Sequence, residues 1–129
     1  MNFKPEELTL IKESVLLPFL LPIVDRNLRE MEEDKNGGAF MRQLYISSGN
    51  LLYREIESDI RKIKQTLRST GIRVWENESK RDNQTRYYSY SRGGYEGELT
   101  ILRNLVRGEI AARLKGYMNR LEQSLRAVK

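Results

Sequence analysis

Arg61, Lys64 and Arg68 recur at spacings of three and four, which on an α-helix places three cations along one stripe. Such a stripe can lie along a phosphate backbone, each contact adding salt-sensitive affinity through released counterions. Further along the chain Arg73, Lys80, Arg81, Arg86 and Arg92 are interleaved with Trp75, Tyr87, Tyr88, Tyr90 and Tyr95. Aromatic faces stack on bases and guanidinium groups clamp phosphates, so the mixture suits nucleic acid. The binding set read from the sequence is Arg61, Lys64, Arg68, Lys80, Arg81, Arg86 and Arg92. Each member also has a plain structural reading. A charge stripe is commonly the solvated face of a helix, and strand residues alternate, so Trp75 and two of the tyrosines are expected to face the core.

Other chemistry is poorly equipped. The chain holds no histidine and no cysteine, which removes the usual general base, the commonest metal ligand and the thiolate nucleophile. No serine lies in a nucleophile elbow, and the glycines of Arg92-Gly93-Gly94-Tyr95-Glu96-Gly97 are misplaced for a phosphate loop or a dinucleotide fingerprint. Glu30, Glu32, Glu33 and Asp34 cluster, yet Asp34-Lys35-Asn36-Gly37-Gly38 does not match a calcium loop. The expectation is a protein that is not an enzyme and that takes no metal and no cofactor.

Charge is unevenly divided. Residues 1–38 carry five Lys/Arg against eight Asp/Glu, and residues 39–129 carry 18 against ten. An acidic N-terminal segment on a basic body points to a polyanionic partner for the body, DNA before RNA. The one strongly apolar run, Val15 to Val24, is broken by Pro18 and Pro22 and is too short to span a bilayer. With no export signal evident at Met1, the reading is cytoplasmic, without membrane or small-molecule partner.

At 129 residues the chain has room for a single domain. Pro5-Glu6-Glu7 starts a helix, with proline in the first turn and carboxylates at the positive end of the dipole. Pro18 and Pro22 predict a kink or break before the helix resumes through Leu28 and Met31, to stop at Lys35-Asn36-Gly37-Gly38. The clearest period is Leu52, Ile56, Ile60, Ile63 and Leu67. Ahead of it Ser47-Ser48-Gly49-Asn50 predicts a turn between two helices; read instead as a weak spot, it leaves one helix over 39–69. After Ser69-Thr70-Gly71 the β-branched and aromatic runs 72–75 and 85–90 predict a hairpin with a polar tip over 76–83. Residues 92–97 read as a joint, and a terminal helix as running from about Glu98, with Gly108 permitting a close helix crossing.

The order of these elements over 39–129 resembles a winged-helix DNA-binding domain. The resemblance implies that the helix ending at Leu67 enters the major groove, that the 85–90 strand belongs to a wing, and that the terminal helix is a dimerisation arm. The fold class expected is mainly α with one β-hairpin, winged-helix-like, with long N- and C-terminal helices. The parts are an acidic segment 1–38, a helix-turn-helix plus hairpin 39–97 and a helix 98–129. The alternative is a helical bundle with a protruding hairpin, an interaction or scaffold protein of the kind phages and mobile elements carry. Either way a homodimer is expected, built mainly through 98–128.

Overall fold

The computed structural model describes residues 3–34 and 38–127. The chain is mainly α, with long helices at both ends and antiparallel strands between them. Helix α1 (Pro5–Leu16) opens with proline in its first turn, and the Lys4 backbone N–H donates to Glu7 Oε1 at 2.9 Å. The two prolines neither break the chain apart nor ride inside a regular helix. Pro18 sits in a single 3-10 turn (Leu17–Phe19), and Pro22 falls in the first turn of α2 (Leu20–Glu33), where its missing N–H costs nothing. Leu16, Leu17 and Leu20, around this turn, are all buried. Lys35, Asn36 and Gly37 of the expected stop lie outside the described residues.

Helix α3 (Ala39–Ser69) is continuous for 31 residues. The turn expected at Ser47-Ser48-Gly49-Asn50 is therefore corrected: the helix pair on which the winged-helix resemblance leaned is not formed. Turn propensity is a weak local preference, and packing overrides it here. Gly49 lies against α2, where a β-carbon would stand 2.5 Å from Leu28 Cδ2. The glycine is thus a point of close helix approach. Gly108, expected to play that part, faces open space. We expect Gly49→Ala to gain little stability in the native background, because Leu28 must move to admit the methyl group. In a Leu28→Ala background the same change should stabilise by about 1 kcal/mol, the helix-propensity difference. Urea midpoints for the four proteins of this cycle check it, and equal effects in both backgrounds would deny the contact.

Helix α3 ends in a Schellman motif. Gly71 has φ of 75°, its N–H donates to Arg68 O at 3.2 Å, and the Ile72 N–H donates to Leu67 O at 2.9 Å. Leu67 and Ile72, both buried, pack with Ile11 beneath this cap. Strands β1 (Arg73–Glu76), β2 (Thr85–Arg92) and β3 (Tyr95–Leu102) follow as a meander in the order β1-β2-β3. β3 is a second correction. Residues 95–102 form a strand paired with β2, and the terminal helix α4 (Arg103–Ala127) starts later than the reading from Glu98. Residues 93–94 are the hairpin turn itself, with Gly93 at φ 60° as a two-residue turn requires of its first residue.

The main core lies between the 3-10 turn, α2, α3 and α4: Leu17, Leu20, Val24, Ile56, Ile60 and Tyr117 are buried together, and Ile110 and Leu114 of α4 pack on them. A second cluster joins Val15 and Leu16 to Ile101 of β3, so the sheet packs on α1 instead of protruding. Ion pairs fasten the same layer. Arg113 of α4 donates from Nε to both Glu13 oxygens at 3.0 and 3.1 Å, and Lys12 Nζ lies 2.6 Å from Glu109 Oε1. The Tyr117 hydroxyl donates to Asp59 Oδ2 at 2.7 Å; burial, then that bond, pushes its pKa up. Among the described residues no helix is long and apolar enough to cross a membrane.

Candidate nucleic-acid interface

The fold sorts the seven expected cations into two groups. On β2 the even-numbered residues Arg86, Tyr88, Tyr90 and Arg92 form one row. Tyr88 and Tyr90 pack in the core clusters, as expected of two tyrosines. The two arginines at the ends of this row are half-buried and paired within the fold. The Arg86 guanidinium lies 5.3 Å from the Phe19 ring centroid and 3.9 Å from Glu76. Arg92 grips the Glu7 carboxylate with both terminal nitrogens, Nη2 at 3.0 Å, and its guanidinium lies 5.2 Å from the Phe3 ring centroid.

The hairpin tip is likewise occupied. Arg81 donates to Glu76 Oε2 at 2.9 Å, and Lys80 Nζ lies 3.6 Å from Glu98 Oε1. Both side chains stay exposed, but each phosphate contact there would compete with a carboxylate.

Arg61, Lys64 and Arg68 differ from these four. All three are exposed on α3, and among the described residues none has a carboxylate within ion-pairing distance. Glu57 is the acid nearest this stripe in helical register, and the cations outnumber it. Lys64 and Arg68 stand on the rim of an open groove of about 770 Å³ between the end of α3, the α1 end and β1. Its floor is apolar, with Val15, Phe19, Leu67, Ile72 and Val74.

Across the groove stand two residues that the sequence reading undervalued. Val74, not Trp75, turns toward the core, so the expectation of a core-facing tryptophan is corrected: Trp75 is 39% exposed. Arg73, on the same face of β1, lies with its guanidinium 5.8 Å from the Trp75 ring centroid. The signal was available in the alternation of Arg73-Val74-Trp75-Glu76, where the single aliphatic residue marks the inward face. Lys64, Arg68, Arg73 and Trp75 therefore converge on one concavity, whereas Lys80, Arg81, Arg86 and Arg92 do not join them. An anion held at the rim could place an attached flat, apolar group on the tryptophan or the floor. Among the described residues no cluster of carboxylates is arranged to hold a metal ion.

Glu7 gives a pH signature for the paired group. The Arg92 bond, and after it the Lys4 backbone N–H, hold its carboxyl below the usual range. With the folded pKa depressed, the stability contributed by Glu7 is complete above the unfolded carboxyl pKa. It is lost as pH falls through the folded value. Urea titrations on the acid side should show stability falling with pH in the native protein and a flatter limb in Glu7→Gln, which starts lower at neutral pH. Parallel limbs would remove this pair from the acid response.

No curated protein matches the chain, and no solved structure does. A match to the family model described as "YhjD protein" spans residues 2–122, which is nearly the whole chain, and the protein accordingly belongs to the YhjD family.

Proposed function

We propose that this protein is a non-enzymatic, cytoplasmic nucleic-acid-binding protein that holds DNA against the C-terminal half of α3. The observation that carries the reading is the unpaired stripe Arg61, Lys64 and Arg68, which runs to a groove flanked by Arg73 and the exposed Trp75. Cations that are not neutralised within the fold remain available to exchange counterions for phosphates. The stripe sits on a helix that is anchored by Ile56, Ile60 and Leu67 on the adjoining face, so its charges are presented in fixed register. The contact does not use a helix pair, and the hairpin tip has a minor part in it. A cysteine-free chain is at home in a reducing compartment.

The test compares two triplet-versus-doublet variants on the same duplex. Arg61→Ala, Lys64→Ala and Arg68→Ala combined should lower the salt slope of log K by about three, one per lost phosphate contact. Lys80→Ala with Arg81→Ala should leave the slope nearly unchanged, because those cations already serve Glu98 and Glu76. The reverse pattern would move the interface to the hairpin and end this proposal.

A second reading, a helical interaction or scaffold protein, is favoured by one specific observation. Helix α3 runs unbroken, and its N-terminal half exposes large apolar side chains. That reading predicts no duplex binding even at low salt.

A further inference from the structure

The groove between the end of α3, the α1 end and β1 divides its chemistry in a way that phosphate contacts along α3 leave unexplained. Its volume is about 770 Å³, inside the range of about 300–1,000 Å³ usual for clefts that hold small molecules. A nucleic-acid backbone presents charge and sugar, for which the floor of Val15, Phe19, Leu67, Ile72 and Val74 has no use. Hydrocarbon laid on that floor would release the water that covers it.

The groove is also poorly supplied for a ligand with polar edges. The Ser14 hydroxyl donates to Ile11 O at 2.6 Å, and the N–H groups of Gly71 and Ile72 are engaged in the helix cap. A polar body would give up its water partners there and gain few in return. The rim has the opposite character. Lys64, Arg68 and Arg73 are exposed, and among the described residues none has a carboxylate within ion-pairing distance. Glu76 is the one carboxylate among the described lining residues. It is already held by Arg81 at 2.9 Å and faces Arg86 at 3.9 Å. The rim is therefore left with an excess of positive charge, and the half-exposed Trp75 stands beside it.

We infer that this groove binds a small anionic amphiphile, a single hydrocarbon body ending in a carboxylate. The anion sits among Lys64, Arg68 and Arg73, and the hydrocarbon lies on the floor beside Trp75. Charge complementarity selects this occupant. A neutral hydrocarbon leaves the three cations unmatched, and a cationic one is repelled by them. The site does not depend on DNA binding and stands if α3 binds none. Because Lys64 and Arg68 serve both surfaces, an occupied groove competes with a phosphate backbone.

Decanoate, titrated well below micelle-forming concentrations and followed by calorimetry and Trp75 emission, tests the site. The native protein should bind it at one site per chain, about tenfold or more tightly than decanol, as hydrogen bonds to a charged group imply. Lys64→Ala, Arg68→Ala and Arg73→Ala combined, all at exposed positions, should keep the native far-UV spectrum. They should bring decanoate down to the affinity of decanol and leave decanol unchanged. Trp75→Ala should weaken both ligands alike. Leu44→Glu, on the exposed apolar part of α3 away from the groove, should change neither. Equal binding of decanoate, decanol and decyltrimethylammonium overturns the inference, as does loss of binding in Leu44→Glu alone. No decanoate binding overturns it too. Adhesion to phosphatidylglycerol vesicles would then assign the groove to a membrane surface, and a dimer that Trp75→Ala dissociates would assign it to a second copy.

Discussion

Ile56→Ala should destabilise the protein by about 3–4 kcal/mol, with an unfolding midpoint lower by on the order of 10 °C. Ile56 is fully buried on α3, packed among Leu17, Leu20, Val24, Ile60 and Tyr117. These neighbours come from four separate elements, so no one of them can close over the lost methyls without disturbing the other contacts. The cavity therefore persists, and its cost adds to the lost transfer energy. Total stability for a domain of this size is on the order of 5–15 kcal/mol, so the variant loses a large share. Calorimetry or urea unfolding checks it. A loss of under about 1 kcal/mol would mean that the core closes over the gap.

Gly97→Val should be nearly as damaging, for the opposite reason. Gly97 pairs with Tyr90 across β2 and β3, and a β-carbon there would stand 2.4 Å from Tyr90 Cε2 and Cζ. The tyrosine ring lies over the glycine, covering the backbone of a strand position that has no side chain of its own. It cannot swing aside freely, because it packs edge-on to Phe3, centroids 4.9 Å apart, over the Ile11, Leu67 and Ile72 cluster. Overpacking of this kind costs about 1–3 kcal/mol. In a Tyr90→Ala background the clash is gone, and Gly97→Val should be neutral or stabilising, since valine suits a strand better than glycine. Additive effects in the two backgrounds would show that the ring does not hold its place.

These two positions also mark what the sequence could and could not disclose. Ile56 was legible because it belongs to a run with helical period, and one-sided burial follows directly from that spacing. The helix end at Gly71 and the strands, read as 72–75 and 85–90 and found at 73–76 and 85–92, were legible for similar local reasons. Residues 95–102 were not. Glu98, Leu99, Leu102 and Leu105 fit a helix start as well as Gly97, Leu99 and Ile101 fit a strand face, and only pairing with β2 decides between them. Gly49 shows a different limit: Ser47-Ser48-Gly49-Asn50 has the composition of a turn, yet it is helical and lies against Leu28, which is 21 residues away.

The cations divide along the same line. Arg61, Lys64 and Arg68 were found by spacing within one helix, and the helix keeps them together. Arg92 is bound to Glu7, a partner 85 residues distant, and Lys80 faces Glu98 on a strand that was read as helix. Partners supplied by the tertiary fold neutralise these residues, and composition alone counts them as available. Arg73 and Trp75 were undervalued because the size of Trp75 was weighed above the alternation, in which Val74 marks the inward face.

The central claim is that the unpaired α3 stripe binds a polyanionic backbone, and a titration of labelled random-sequence duplex at two salt concentrations tests it most directly. Trp75 is the sole tryptophan, so its fluorescence can be followed in the same cell. The account predicts binding at low salt that weakens steeply at the higher concentration, with a slope equivalent to about three phosphates, and a change in Trp75 emission on saturation. Absence of binding at low salt would contradict it.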